Sequence, residues 1–80
     1  MVTVHRAYGF RFVMYANDHS LPHVHICGQG GEAKITLGGS KRLILDWVIG
    51  ISRADLSRIM EEAESERERL IEAWRTLHDR

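Results

Sequence analysis

"HVHICGQGGEAKITL", residues 23–37, alternates in character on both sides of a glycine-rich centre. In an extended chain Val24 and Ile26 point one way while His23, His25 and Cys27 point the other. Beyond Gly28-Gln29-Gly30-Gly31, Ala33, Ile35 and Leu37 oppose Glu32, Lys34 and Thr36. Two period-two runs joined by a flexible turn predict a β-hairpin. Symmetric closure pairs Cys27 with Glu32, His25 with Lys34 and His23 with Thr36. Directly paired residues project to the same side of an antiparallel sheet. One face of the hairpin is therefore apolar, and the other collects the two imidazoles, the thiol, Glu32, Lys34 and Thr36. The glycines leave a one-residue slip open, which would scramble that assignment.

Upstream, VTVHR (2–6) and FRFVMY (10–15) flank an Ala7-Tyr8-Gly9 break and read as two further strands. Phe10, Phe12 and Met14 share one face; Arg11, Val13 and Tyr15 share the other. The polar run Asn17-Asp18-His19-Ser20 ends the second strand, and Pro22 restricts its predecessor to extended backbone. Downstream, after Gly38-Gly39-Ser40, the apolar run in KRLILDWVIG (41–50) is interrupted only by Asp46. It reads as a strand that helps cover the sheet, or as a buried irregular segment, with Trp47 filling core volume.

From Ser52 the period changes. Ser52 is a good helix N-cap with Asp55 at the third helical position, a variant of the capping box. Leu56, Ile59, Met60, Ala63, Leu70, Ile71, Trp74 and Leu77 then fall on one helical stripe. The stripe lapses at SERER (65–69), where the helix runs past the sheet edge, kinks or meets another subunit. Attractive pairs at three-residue spacing (Glu64 with Arg67, Glu66 with Arg69, Glu72 with Arg75) compete with repulsive glutamate pairs at four, so apolar packing must supply most of the stability. The expectation is a single α+β domain over residues 1–80, in two layers: a small antiparallel β-sheet of three to five strands packed by a long C-terminal amphipathic helix. With 80 residues and 44% hydrophobic content the core is modest, which gives a partner subunit or a bound ion room to matter.

Formal net charge is zero but unevenly placed. Residues 1–45 carry five basic and two acidic side chains, and residues 46–80 carry six and nine. That distribution speaks against a dominant nucleic-acid backbone binder; nucleic acid, if contacted at all, would meet the N-terminal sheet side. A lone cysteine forms no internal disulfide, and no segment resembles a signal peptide or a membrane span, so the expected location is cytoplasmic, with no membrane contact.

The histidine segment admits three chemistries. His23 and His25 lie side by side on a strand face; His19 can join as a third nitrogen ligand, with Cys27 or Glu32 completing the set and Asp18 orienting an imidazole. Such a site suits zinc, iron or nickel better than magnesium or calcium. Without metal, His23 or His25 can act as general base while Lys34 and Arg11 stabilise negative charge, as in phosphodiester cleavage. The commoner use of such histidines is hydrogen bonding and partner contact. Cys27 as a nucleophile would need a lowered pKa, which Glu32 directly opposite resists. Tyr8, Tyr15 and Arg11 mark either a contact surface or a solvated sheet face.

The stretch "YANDHSLPHVHICGQGGEAKITL" resembles the bacterial family called domain of unknown function 4160. The resemblance is carried by Asn17-Asp18-His19, by Pro22-His23-Val24-His25 and by Gly31-Glu32-Ala33-Lys34, and extends over nearly the whole chain. The family pattern commonly has two prolines before the first strand histidine, where this chain has Leu21-Pro22. The resemblance implies a small bacterial intracellular protein, from genes often arranged like toxin–antitoxin modules. The leading expectation is therefore an interaction or regulatory protein with a protein partner or self-association, using the histidine-bearing face or the gap in the helix stripe. The competing expectation is a metal-dependent or histidine-based nuclease or phosphodiesterase centred on His19, His23 and His25.

Overall fold

The computed structural model describes residues 1–17, 21–39 and 41–79. Its strands are Val2–Ala7 (β1), Phe10–Met14 (β2), His23–Gly28 (β3), Gly31–Thr36 (β4) and Ile44–Ile49 (β5), followed by the helices Arg53–Ser65 (α1) and Arg67–His78 (α2). The strands form one antiparallel sheet in the order β1-β2-β3-β4-β5, a meander in which every neighbour in sequence is a neighbour in space. No helix among the described residues is long and apolar enough to cross a membrane.

The central hairpin closes in the symmetric register, with Cys27 opposite Glu32, His25 opposite Lys34 and His23 opposite Thr36. Its turn places Gln29 (φ 50°) and Gly30 (φ 79°) in left-handed backbone, and the β1–β2 turn does the same with Tyr8 (φ 55°) and Gly9 (φ 81°). Two-residue turns of this hand match the twist of the strands they join. The two turns meet at one end of the sheet, where the Gln29 side-chain amide donates to the Tyr8 carbonyl at 3.1 Å. At the opposite end the Pro22 carbonyl accepts from the backbone N–H of Leu37 at 2.7 Å, which holds the approach to β3 against the exit from β4.

Alternation puts Phe10, Phe12, Met14, Val24, Ile26, Ala33 and Ile35 on the inner face of the sheet, where they are buried with Leu37 under the helices. Ile59 and Ala63 of α1 and Leu70 and Trp74 of α2 close the core from above. Ser52 caps α1, its hydroxyl accepting from the Asp55 N–H at 3.1 Å.

Two expectations are corrected. The C-terminal helix is not one long rod: it breaks at Glu66 (φ −101°, ψ 11°) and resumes at once as α2. The break falls where the apolar stripe lapses, so the helix does kink at SERER. Its cause is tertiary. Arg67 donates to the Leu37 and Lys41 carbonyls at 2.9 and 2.6 Å, and Arg69 bridges Glu66 and His5, both at 2.6 Å.

The second correction concerns Trp47, which is 37% exposed and outside the core. β5 carries an irregularity opposite Lys34 and Ile35 that leaves Asp46 without a partner in the ladder. Such a bulge inserts one residue, so Leu45 and Val48, three apart, both turn inward, and Trp47 opposite Lys34 turns outward. Thr36 donates its hydroxyl to the Asp46 carboxylate at 2.6 Å, fixing the bulge.

Candidate functional site

Both helices pack on the inner face, and no described element covers the outer one. Cross-strand register builds that outer face in rows. One runs Thr3, Val13, His25, Lys34 and Trp47 from β1 to β5; the next runs Arg6, Arg11, Cys27, Glu32 and Ile49. Tyr15, just beyond β2, meets the His25 ring edge to face at 5.0 Å. The His25 Nδ1 lies 4.0 Å from a Glu32 carboxylate oxygen. Val13 is fully buried although it belongs to this face, so its neighbours shelter the middle of the row.

His23 shares the outward parity of His25 but not its exposure. It is 2% exposed, with its ring 4.7 Å from Trp74 and 5.3 Å from His25. Its Nδ1–H donates to the Leu21 carbonyl at 2.9 Å, which makes Nε2 the unprotonated nitrogen of the neutral ring. Trp74 in turn stacks on His78 at 3.8 Å. A chain of rings thus passes from α2 through the start of β3 to the outer face: His78, Trp74, His23, His25 and Tyr15.

Of the residues expected at a site, His23, His25, Cys27, Glu32 and Lys34 come together on β3 and β4. Asp18 and His19 lie outside the described residues. Among the described residues no three His, Cys, Asp or Glu side chains gather as metal ligands, and a zinc, iron or nickel centre would need His19 beside His23 and His25.

Burial pushes the Cys27 thiol pKa up, Glu32 adds to the rise, and Arg11 offsets part of it. The thiol is therefore neutral at neutral pH, the wrong state for a nucleophile. Because the folded pKa is raised, the associated stability is full at neutral pH and is lost as pH climbs through the raised value. Alkylation of Cys27, followed by mass spectrometry across pH, is expected to run slower than for an unhindered thiol. It should speed up in Glu32→Gln and slow in Arg11→Gln.

His5 carries no local signature in the sequence. Arg69 donates to its Nδ1, so Nε2–H donates to Glu62 at 2.5 Å, and the ring stands edge-on to Phe12. Arg69 also holds the Glu66 carboxyl below the usual carboxylate range by hydrogen bonding it. This network spans partners 57 and 64 residues apart, and nothing local announces it. His78 did leave a local signal, being four residues after Trp74 on the same helix face.

The family model described as Domain of unknown function (DUF4160) matches residues 9–75. The chain belongs to the DUF4160 family. The match takes in β2 to β5, α1 and most of α2, and so includes His23, His25, Lys34, Trp47 and Trp74 of this DUF4160 protein. No curated protein and no solved structure matches the chain.

Proposed function

We propose that the chain is a small interaction protein, of the kind expected in one member of a toxin–antitoxin-like pair, whose contact surface is the outer face of the sheet. The observation that supports this is Trp47. A sheet packed on one side normally turns polar residues to water on the other. Here the outer face presents an indole at its edge strand, flanked by Ile44 and by Ile49, which is 69% exposed. Aromatic anchors of this sort dominate binding energy when a partner desolvates them. The other candidate surface, the gap in the helix stripe, has Arg67 and Arg69 committed to contacts within the molecule.

A photo-crosslinking amino acid at Ile49, compared with one at the helix position Glu61, tests the face without presuming the class of partner. Crosslinks in producing cells are expected from Ile49 and not from Glu61. The reverse pattern would move the contact surface to the helices.

A second reading is favoured by His25, which has Tyr15 against its ring and Lys34 directly across the strand. In phosphodiester cleavage His25 would take the proton of a ribose 2′-hydroxyl as that oxygen attacks phosphorus. Lys34 would offset charge on the phosphoryl oxygens, and the departing 5′-oxygen would take its proton from water or Tyr15. RNA cleavage that survives chelator but is lost in His25→Gln supports this; loss with chelator alone would point to a metal held with His19.

A further inference from the structure

We infer that the outer face of the sheet is a site for single-stranded nucleic acid, with Arg6, Arg11 and Lys34 taking phosphates and Trp47 stacking on a base. The inference rests on the reading of this face as a contact surface and adds the chemistry of its occupant.

The first observation is a surplus of cations. Among the described residues Arg6, Arg11 and Lys34 on this face, like Arg53 of α1, form no ion pair, whereas Arg58, Arg69 and Arg75 of the helices are each paired with a carboxylate. Arg6 and Arg11 are moreover directly opposite each other on neighbouring strands. Like charges so placed destabilise a sheet, and a phosphate between them reverses the sign of that contribution. Two carboxylates share this face, Asp46 bonded to the Thr36 hydroxyl and Glu32 beside His25 and acting against Arg11 on Cys27, so three cations stand against two acids. Most of the acid in the chain is carried by the two helices, on the other side of the sheet.

The second observation is the position of the indole. Trp47 stands directly across from Lys34 on the neighbouring strand, whose backbone lies about 5 Å away, so one row carries both a cation and an exposed flat ring. Cation beside ring is the arrangement that a polymer of phosphates and bases satisfies at both points. An acidic protein segment would meet the cations but would need an apolar or aromatic side chain in matching register for the ring, whereas every nucleotide carries both a phosphate and a base. A duplex has its bases stacked on one another, and this face offers neither a helix nor a projecting ribbon to enter a groove. The neutral net charge and the small number of cations fit a short site of modest affinity, in which stacking supplies much of the binding.

The test is fluorescence anisotropy with the full chain and labelled oligonucleotides of about ten nucleotides, the scale of single-strand sites. Single-stranded RNA, single-stranded DNA of the same sequence and the matching duplex are compared at low salt. Single strands are expected to bind more tightly than the duplex. The plot of log affinity against log salt should have a slope of about −2, since three phosphate contacts each contribute roughly −0.7. Trp47→Ala is expected to weaken binding about tenfold, and Arg11→Gln to make the slope shallower by about 0.7. Both positions lie outside the core, and circular dichroism verifies that the variants fold. Failure of both single strands to bind at low salt overturns the inference, as does binding that both variants leave intact. If oligonucleotides fail while the Ile49 crosslinker captures a protein, the nucleic-acid inference falls and the contact surface stands. If Ile49 is also silent, both fall.

Discussion

Replacing Trp74 by alanine is expected to lower the unfolding free energy by about 3–5 kcal/mol, the range for truncating a large buried aromatic side chain. For a domain this small that is most of the stability available. Trp74 is 6% exposed, belongs to the core cluster and contacts both the His78 and the His23 rings. Its loss opens a cavity and uncouples α2 from the start of β3 together. Trp47→Ala provides the contrast, because that indole lies outside the core and its removal is expected to cost less than about 1 kcal/mol. Urea unfolding followed by circular dichroism reads both. Equal costs for the two tryptophans would mean that α2 does not pack on the inner face as described.

The contrast between the tryptophans also marks where sequence stops being informative. Trp74 was legible because helical spacing from Leu70 assigns it to the buried stripe. Trp47 was not, because an apolar run has no parity to read and the bulge at Asp46 depends on the match between β4 and β5. The hairpin register was legible in full: alternation on both sides of a four-residue glycine-rich segment leaves one symmetric pairing, and that pairing forms. The helix break was half legible. A lapse in the stripe shows at SERER, but what ends α1 is the capture of Arg67 by carbonyls 30 and 26 residues away. On the outer face the strand pattern placed His25, Lys34 and Arg11 correctly. It could not add the fifth strand to the same rows, and so missed Trp47 as their neighbour.

His23 and His25 are expected to part company although sequence parity treats them alike. His23→Ala should cost roughly 2–4 kcal/mol, between a lost buried hydrogen bond and a truncated buried ring. Its Nδ1–H leaves the Leu21 carbonyl and its ring leaves Trp74, both in a region closed to water. His25→Ala should cost about 1–2 kcal/mol, less than His23→Ala, since its side chain keeps 16% exposure on a face with no layer over it and water can refill part of the space. The functional effects should run the other way, with His25→Ala weakening partner contact in a protein that remains folded. A combined substitution would confound the two, because loss of function could report unfolding through His23. Urea unfolding of each single variant, beside its crosslinking from Ile49, separates them. Were His25→Ala the more destabilising, the outer-face histidine would be the structural one. The chemistry would then shift toward His23, whose Nδ1 is held by the Leu21 carbonyl.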